Sequence, residues 1–330
     1  MRFLLETEHT DLANSIDSML TRADLPAVVR SWNDGDRGPG LAVWARLADT
    51  GVTALLIDEA SGGFGAGALE MVVAAEQLGR HCVPGPVAET IGAVPTLLAG
   101  TDRTDLLEAL VAGELATLAV PDAVPYAADT EAATHRLLLA GTTLSTGEVV
   151  TTHASVDRAR TVSVLAPADT VATDIDGSAA FDHGALATAA QLLGLASQML
   201  ALSGAYAISR TQFGRPIGSF QAIKHHLADV AIAVEMARPL VHGAALALDG
   251  AVPPGGDASR DVSAAKVAAG QAAYLASRVG LQTLGAIGYT QEHDLSLYLT
   301  KTRALLTAWG TPALHRDRVL RSVTAPVGAP

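Results

Sequence analysis

The sequence predicts a mainly α protein with a small central β domain, and three observations carry that expectation. Apolar residues recur at three- and four-residue spacing through most of the chain. Between residues 114 and 182 this periodicity gives way to short runs rich in Val, Leu and Thr, separated by Gly, Asp, Ala and Pro. With 330 residues and 49% hydrophobic content, the chain can bury a large core and fill about two or three domains.

Residues 1–113 read as an N-terminal helical domain. "TDLANSIDSMLTRA", "GLAVWARLADTG", "GALEMVVAAEQLGRH" and "TDLLEALVAGE" each carry an apolar stripe and end near a Gly or a polar turn. Residues 114–182 form the β domain, with strands expected at "LATLAV", "HRLLLAG", "GEVVTT" and "RTVSVLA". Residues 183–330 return to helix as a four-helix-type bundle. After Ser219 the apolar set Phe220, Ile223, Leu227, Val230, Val234, Ala237 and Val241 makes one continuous stripe. "AVPPGGDAS" at 251–259 breaks the chain before "DVSAAKVAAGQAAYLASRVGLQTLG", and "EHDLSLYLTKTRALLTA" and "PALHRDRVLRS" supply the last helices.

Several function classes are disfavoured. A net charge of -12, from 22 basic and 34 acidic residues with no basic run, leaves no electrostatic footprint for nucleic acid. A single cysteine, Cys82, permits neither an internal disulfide nor a Cys-based zinc site. The start, "MRFLLETEHTDLANS", lacks the sustained apolar region of a secretory signal, so a cytoplasmic location is expected. From Gly184 to Ser209 no charge occurs, a length that could cross a bilayer. Thr188, Gln191, Ser197, Gln198 and Ser203 interrupt it, favouring a bundle helix buried on most sides. "SGGFGAG" at 61–67 lacks the Lys-Ser/Thr of a phosphate loop and reads as the turn leading into a helix. "KHH" at 224–226 has no spaced carboxylate or Cys to complete a metal site.

The loop at 209–229, "SRTQFGRPIGSFQAIKHHLAD", is more specific than a turn requires. Its Arg-x-x-Phe-Gly, then Ile, Phe-Gln and Leu-Ala-Asp, resembles the signature between the first two bundle helices of the acyl-CoA dehydrogenase family. "LQTLGAIGYT" at 281–290 resembles that family's Gln-x-x-Gly-Gly-x-Gly-Tyr/Phe turn, and "WGTP" at 309–312 falls where it has Glu-Gly-Thr. "GVTALLIDEASGGFGAGALEMVVAAEQLGRHCVPGPV" resembles its N-terminal helical domain. The resemblance implies N-terminal helices, a β domain, a C-terminal four-helix bundle and FAD held between two subunits. It places Arg210, Gln212 and Phe213 on the adenine-diphosphate half of a neighbour's flavin, with Phe220 and Gln221 close by. Guanidinium pairing with pyrophosphate and an aromatic face near adenine suit that role. Gln282, Gly285 and Ala286 occupy the second flavin-contacting turn, where Ala286 replaces a glycine, and Thr311 keeps the Gly-Thr threonine.

The resemblance also implies oxidation of an acyl-CoA, with a glutamate removing the α proton while the β hydride passes to flavin. Here Trp309 stands at the usual glutamate, and Gly184 and Ala185 stand at the alternative base position. No catalytic residue is therefore assigned. Asp182, more ordinarily a helix cap, and His183 are the weak candidates for a displaced base. The Thr-Glu-Pro-x-x-Gly-Ser-Asp stretch has become "AVPDAVPYAAD", and the β region is shortened. Nucleotide-end residues are kept while base and ring-side residues are lost. That pattern resembles the short chain of heteromeric (α2β2) actinobacterial acyl-CoA dehydrogenases, whose longer partner would carry the glutamate, and it extends to a steroid-derived acyl group. Two alternatives stay open: a homomeric enzyme with a displaced base, and a flavin-free scaffold.

Overall fold

The structure, a computed structural model, describes residues 5–252 and 256–324, so the break expected at 251–259 lies partly outside the described residues. Helices α1 (Thr7–Thr21), α2 (Leu25–Asn33), α3 (Gly38–Asp49), α4 (Ala68–Arg80), α5 (Val94–Leu98) and α6 (Thr104–Val111) come first. Prolines in the first turns of α2, α3 and α5 cost no hydrogen bond there, because those N–H groups have no partner within a helix. Between α4 and α5 the chain makes one π-helical turn, Glu89–Ala93, entirely buried.

Five strands follow: β1 (Ala116–Ala119), β2 (Ala127–Ala128), β3 (His135–Ala140), β4 (Thr143–Ala154) and β5 (Thr161–Ala172). Their order is β1-β3-β4-β5-β2; only β1 and β3 run parallel. The expected "GEVVTT" lies inside β4, and "RTVSVLA", but for Arg160, lies inside β5; both strands extend to 12 residues, and each has Thr and Val among its exposed or half-buried positions, which suit strands.

Helix α7 (Ser178–Ser209) then runs 32 residues. A hairpin of β6 (Thr211–Gln212) and β7 (Arg215–Pro216) leads to α8 (Gln221–Leu248), followed by α9 (Ala258–Leu284), α10 (Leu295–Leu305) and α11 (Pro312–Thr324). By length and composition α7 and α8 could cross a membrane, but α4, α9 and the π-helical turn pack along α7 and bury most of it. Reciprocal glycines make that packing close: a side chain at Gly79 would overlap the backbone of Gln191, and one at Gly194 the backbone of Glu76. Asp182 is not the cap read from the sequence. The apolar stretch upstream continues the helix to Ser178, and Asp176 does the capping, accepting from the Ser178 amide at 2.9 Å.

Several side chains join the N-terminal helices to the bundle, Asp249 among them. Asp249, just past α8, accepts from the amides of Ala68 (2.6 Å) and Leu69 (3.2 Å) at the open end of α4. Those amides have no intrahelical acceptor, and the carboxylate also meets the positive end of the helix dipole. Asp249→Ala is expected to lower the unfolding free energy by about 1–2 kcal/mol in a denaturant titration, as for other cap losses.

Candidate functional site

The two bundle ends divide the residues singled out by the sequence. Ser259 at the start of α9 donates to Asp182 near the start of α7. Near their far ends, a Cβ at Gly280 would lie 3.0 Å from Ser203 Oγ. Helices α7 and α9 therefore run parallel, and their C-termini share one end. There sit Arg210, Gln212, Phe213, Phe220 and Gln221, together with Gln282, Gly285 and Ala286. Trp309, Thr311, Asp182 and His183 lie at the opposite end. From Gly184 to Ser209 the helix spans about 38 Å at 1.5 Å per residue. No side chain bridges that distance, so the two groups cannot act on one small reacting centre within one chain.

At the hairpin end, Phe213 (φ 52°) and Gly214 (φ 77°) form the two-residue turn, both left-handed as the right-handed twist of a tight hairpin demands. Glycine meets that demand freely, whereas phenylalanine holds such a conformation at a cost of about 1–2 kcal/mol. Yet Phe213 is 92% exposed. Its ring makes a T-shaped contact with Phe220, at 6.2 Å and 87°, and the Arg215 guanidinium lies over the Phe220 ring, 4.2 Å from its centroid. The Arg210 carbonyl accepts from the Ile217 amide at 2.8 Å, closing the loop. Its guanidinium has no ion pair among the described residues. At the same end of the bundle, Gly285 (φ 62°, ψ −134°) ends α9 in a conformation open only to glycine, and a Cβ there would meet nothing within 4 Å. Ala286 and Gln282 are exposed beside it.

At the other end, a cleft of about 470 Å³ opens between the sheet loops and α10. Val124, Pro125, Tyr126 and Val156 wall it, Arg160 and Arg303 bring positive charge, and Trp309 forms its inner end. Trp309 is 1% exposed and left-handed (φ 54°), followed by left-handed Gly310. Three contacts fix it. Its Nε1–H donates to Glu89 Oε1 at 3.0 Å, its carbonyl accepts from His315 Nε2 at 2.8 Å, and Phe181 packs at 6.2 Å between it and His315. The last requirement is room: a side chain at Gly184 would overlap the indole. The two positions that the resemblance matches to a base are thus in contact, and the ring at one requires the glycine at the other.

The remaining candidates are tied down. Asp182, 3% exposed, accepts from Arg318 Nη2 at 2.8 Å and from Ser259. His183 Nδ1 bonds the Ala179 carbonyl at 2.8 Å, and burial lowers its pKa, keeping it neutral. Neither lines the cleft. Thr311 Oγ1 accepts from the Leu314 amide at 3.2 Å, so it caps α11. Sequence reasoning missed Glu89, His315 and Phe181. The signal for Glu89 was a lone acid inside "VAETIGAV", an apolar run with no reason to hold one unless it is partnered. Behind Trp309 a water-sized cavity of about 10 Å³ gathers Glu89, Asp129, Asp157, Arg160 and Lys301 from all three parts of the fold. Burial pushes the Asp129 carboxyl up to about 6 despite the opposing charge of Arg160.

The comparisons with known proteins agree along the chain. Residues 6–114 match the model for the acyl-CoA dehydrogenase N-terminal domain and residues 177–324 that for the C-terminal domain. Acyl-CoA dehydrogenase IpdE2 of Mycobacterium tuberculosis is 33% identical over 301 residues, 89% of this chain and 90% of that protein. Among solved structures, the Tcur3481-Tcur3483 steroid ACAD superposes with a TM-score of 0.82 at 23% identity, covering 96% of this chain and 97% of that one. The ChsE4-ChsE5 complex from Mycobacterium tuberculosis does so with a TM-score of 0.84 at 21% identity, covering 99% and 100%.

Two outcomes follow from the tryptophan site. Gly184→Ala should destabilise by about 1–3 kcal/mol through overlap with the indole, and Trp309→Ala in the same chain should cancel part of that loss in a double-mutant cycle. Burial lowers the His315 pKa to about 4. The unfolded chain, near the ordinary 6.5, takes up this proton first as pH falls. Stability from this residue is therefore complete above pH 6.5 and lost between 6.5 and 4, amounting to at most about 3 kcal/mol. Denaturation midpoints of His315→Gln across pH 4–7 should show a shallower acid slope than the parent.

Proposed function

The chain belongs to the acyl-CoA dehydrogenase family, and from that membership we propose that it is the base-lacking subunit of a heteromeric FAD-dependent enzyme. The observation that carries this reading is the 38 Å separation along α7, combined with the plugged base site. Residues suited to a nucleotide lie exposed at one bundle end, and the end where a carboxylate would work holds a buried indole instead. A chain so arranged offers its hairpin to a site whose reactive centre belongs to a neighbour.

The hairpin end fits a flavin nucleotide on its own features. Arg210 is a cation without an ion pair among the described residues, Phe213 is an aromatic ring held out in solvent at conformational cost, and the backbone at Gly285 is open to close approach. Arg210 would neutralise the pyrophosphate with paired hydrogen bonds, Phe213 would cover the adenine, and Gln282 with Ala286 would flank them. Bound flavin supplies the acceptor for the β hydride of the acyl chain. The partner, a longer relative, supplies the carboxylate that takes the α proton, and α,β-desaturation of a CoA thioester is the result.

This chain's own part at the cleft is exclusion. Trp309 fills the volume in front of Glu89 and is held there by hydrogen bonds at both its indole N–H and its carbonyl, so the buried carboxylate stays behind the ring. A steroid-derived acyl group is the substrate class favoured by the likeness to a steroid ACAD. The homomeric alternative is disfavoured by the engagement of Asp182 with Arg318 and Ser259.

The test is bound flavin per chain, read from the absorbance of the protein purified alone and after co-expression with a longer, glutamate-bearing relative. Flavin is expected only in the co-purified complex, at less than one per chain. Arg210→Ala should lower that content at least tenfold at limiting flavin. Full flavin and acyl-CoA oxidation by the lone chain would sink the reading.

A further inference from the structure

The chamber behind Trp309 gathers more charge than its size accommodates by direct pairing. Glu89 reaches it from the π-helical turn, Asp129, Asp157 and Arg160 from the loops of the sheet, and Lys301 from α10. Asp129, Glu89, Asp157 and Lys301 are 1%, 2%, 4% and 5% exposed. Arg160, Lys301 and Asp157 all act electrostatically on the Asp129 carboxyl, so these groups are near neighbours. Yet none of the five is in an ion pair among the described residues. Charges withdrawn from water need partners, and a bridging molecule supplies them where direct contact is not made.

The hydrogen bonds these side chains do make leave specific valences over. Glu89 Oε1 accepts from the Trp309 indole at 3.0 Å, Asp129 Oδ1 from the Thr161 amide at 2.8 Å, and Asp157 Oδ1 from the Ala159 amide at 3.1 Å. The second oxygen of each accepts nothing from the described residues. Lys301 Nζ donates to the Val83 carbonyl, which uses one of the three N–H groups of an ammonium. Surplus acceptors and surplus donors thus belong to residues lining one space of about 10 Å³. That volume admits a single water molecule and nothing larger.

Charge selects among occupants of that size. A metal cation would sit beside the Lys301 ammonium and the Arg160 guanidinium, and an anion beside three carboxyl groups, so either meets like charge. Water both donates and accepts, and when buried it makes about three hydrogen bonds. We propose that the chamber is a binding site for one ordered water, which accepts from Lys301 Nζ and donates to Glu89 and Asp157. That water joins the bundle, the N-terminal helices and the sheet at one point. It also gives Lys301 and Asp157 an effect on an indole to which neither is hydrogen-bonded: they hold the Glu89 carboxylate, and Glu89 holds Trp309. Both are positioning residues for the ring that fills the cleft's inner end. Nothing in this site uses flavin or a partner chain.

Two measurements on the full chain test it. A crystal structure that resolves ordered solvent should show one water within hydrogen-bond reach of Lys301, Glu89 and Asp157. Magnetic relaxation dispersion of the solvent counts long-lived internal waters in solution. Lys301→Met removes the donor, and Ala159→Val, at a buried position in the chamber wall, fills the space without changing a charge. Each should lower the long-lived count by one. In proton–nitrogen correlation spectra the Trp309 indole signal, identified by its loss in Trp309→Phe, should shift in both variants, and its hydrogen exchange should become about tenfold faster. Circular dichroism checks that the helices are kept, and where a variant does not fold, the density in the parent still decides. A chamber closed by a direct ion pair, density that refines as a metal ion, or folded variants that keep both the water count and the indole signal would each overturn the proposal.

Discussion

A helix of 32 residues whose last 26 carry no charge is held in water only if other elements cover it, and that requirement organises this chain. Covering α7 takes α4, α8, α9, α10 and the π-helical turn, all of which pack against it. The close approach of α4 depends on glycine facing backbone at Gly79 and Gly194. Once α7 is enclosed its length cannot be shortened locally, because every turn is packed. The distance between the hairpin and the cleft is thus a property of the core itself. A substitution at either end leaves that distance in place.

The two ends are also built with different physics. The hairpin end is exposed, cationic at Arg210 and slightly strained at Phe213, features that gain value only against another surface. The cleft end is internally satisfied. Trp309, Glu89, His315 and Phe181 answer one another's hydrogen-bonding and packing needs, and Arg318 pairs with Asp182 while lying over the Phe181 ring. Buried polar groups that partner one another in this way favour one arrangement, because breaking such a contact leaves the other member without that partner. Of these two ends, the hairpin is the one with the most exposed aromatic ring, Phe213, to offer.

How much of this was legible in the sequence varied with the range of the interactions involved. Helix periods, the Val- and Thr-rich strands and the "RTQFG" signature are local patterns, and they were readable. That position 309 holds a tryptophan and no carboxylate is likewise a property of one position. What could not be read is the pairing of Gly184 with Trp309, which lie 125 positions apart in the chain, or of Glu89 with Trp309, 220 apart. Asp182 was misread as a cap for a related reason: where a helix starts is set by the residues upstream, and the charge-free run drew attention downstream. The separation of Thr311 from the other flavin candidates follows from helix direction, which only the packed bundle fixes.

The contact between Gly184 and Trp309 has an evolutionary corollary. A carboxylate restored at position 184 would have to enter space that the indole occupies. One restored at position 309 would leave the His315, Phe181 and Glu89 surfaces around a void where the ring had been, a change of the kind that costs several kcal/mol. Regaining a base at either position therefore passes through a less stable intermediate unless both sites change together. Packing of this sort works as a ratchet: once the ring had settled over the glycine, selection for stability alone would keep both positions without a carboxylate.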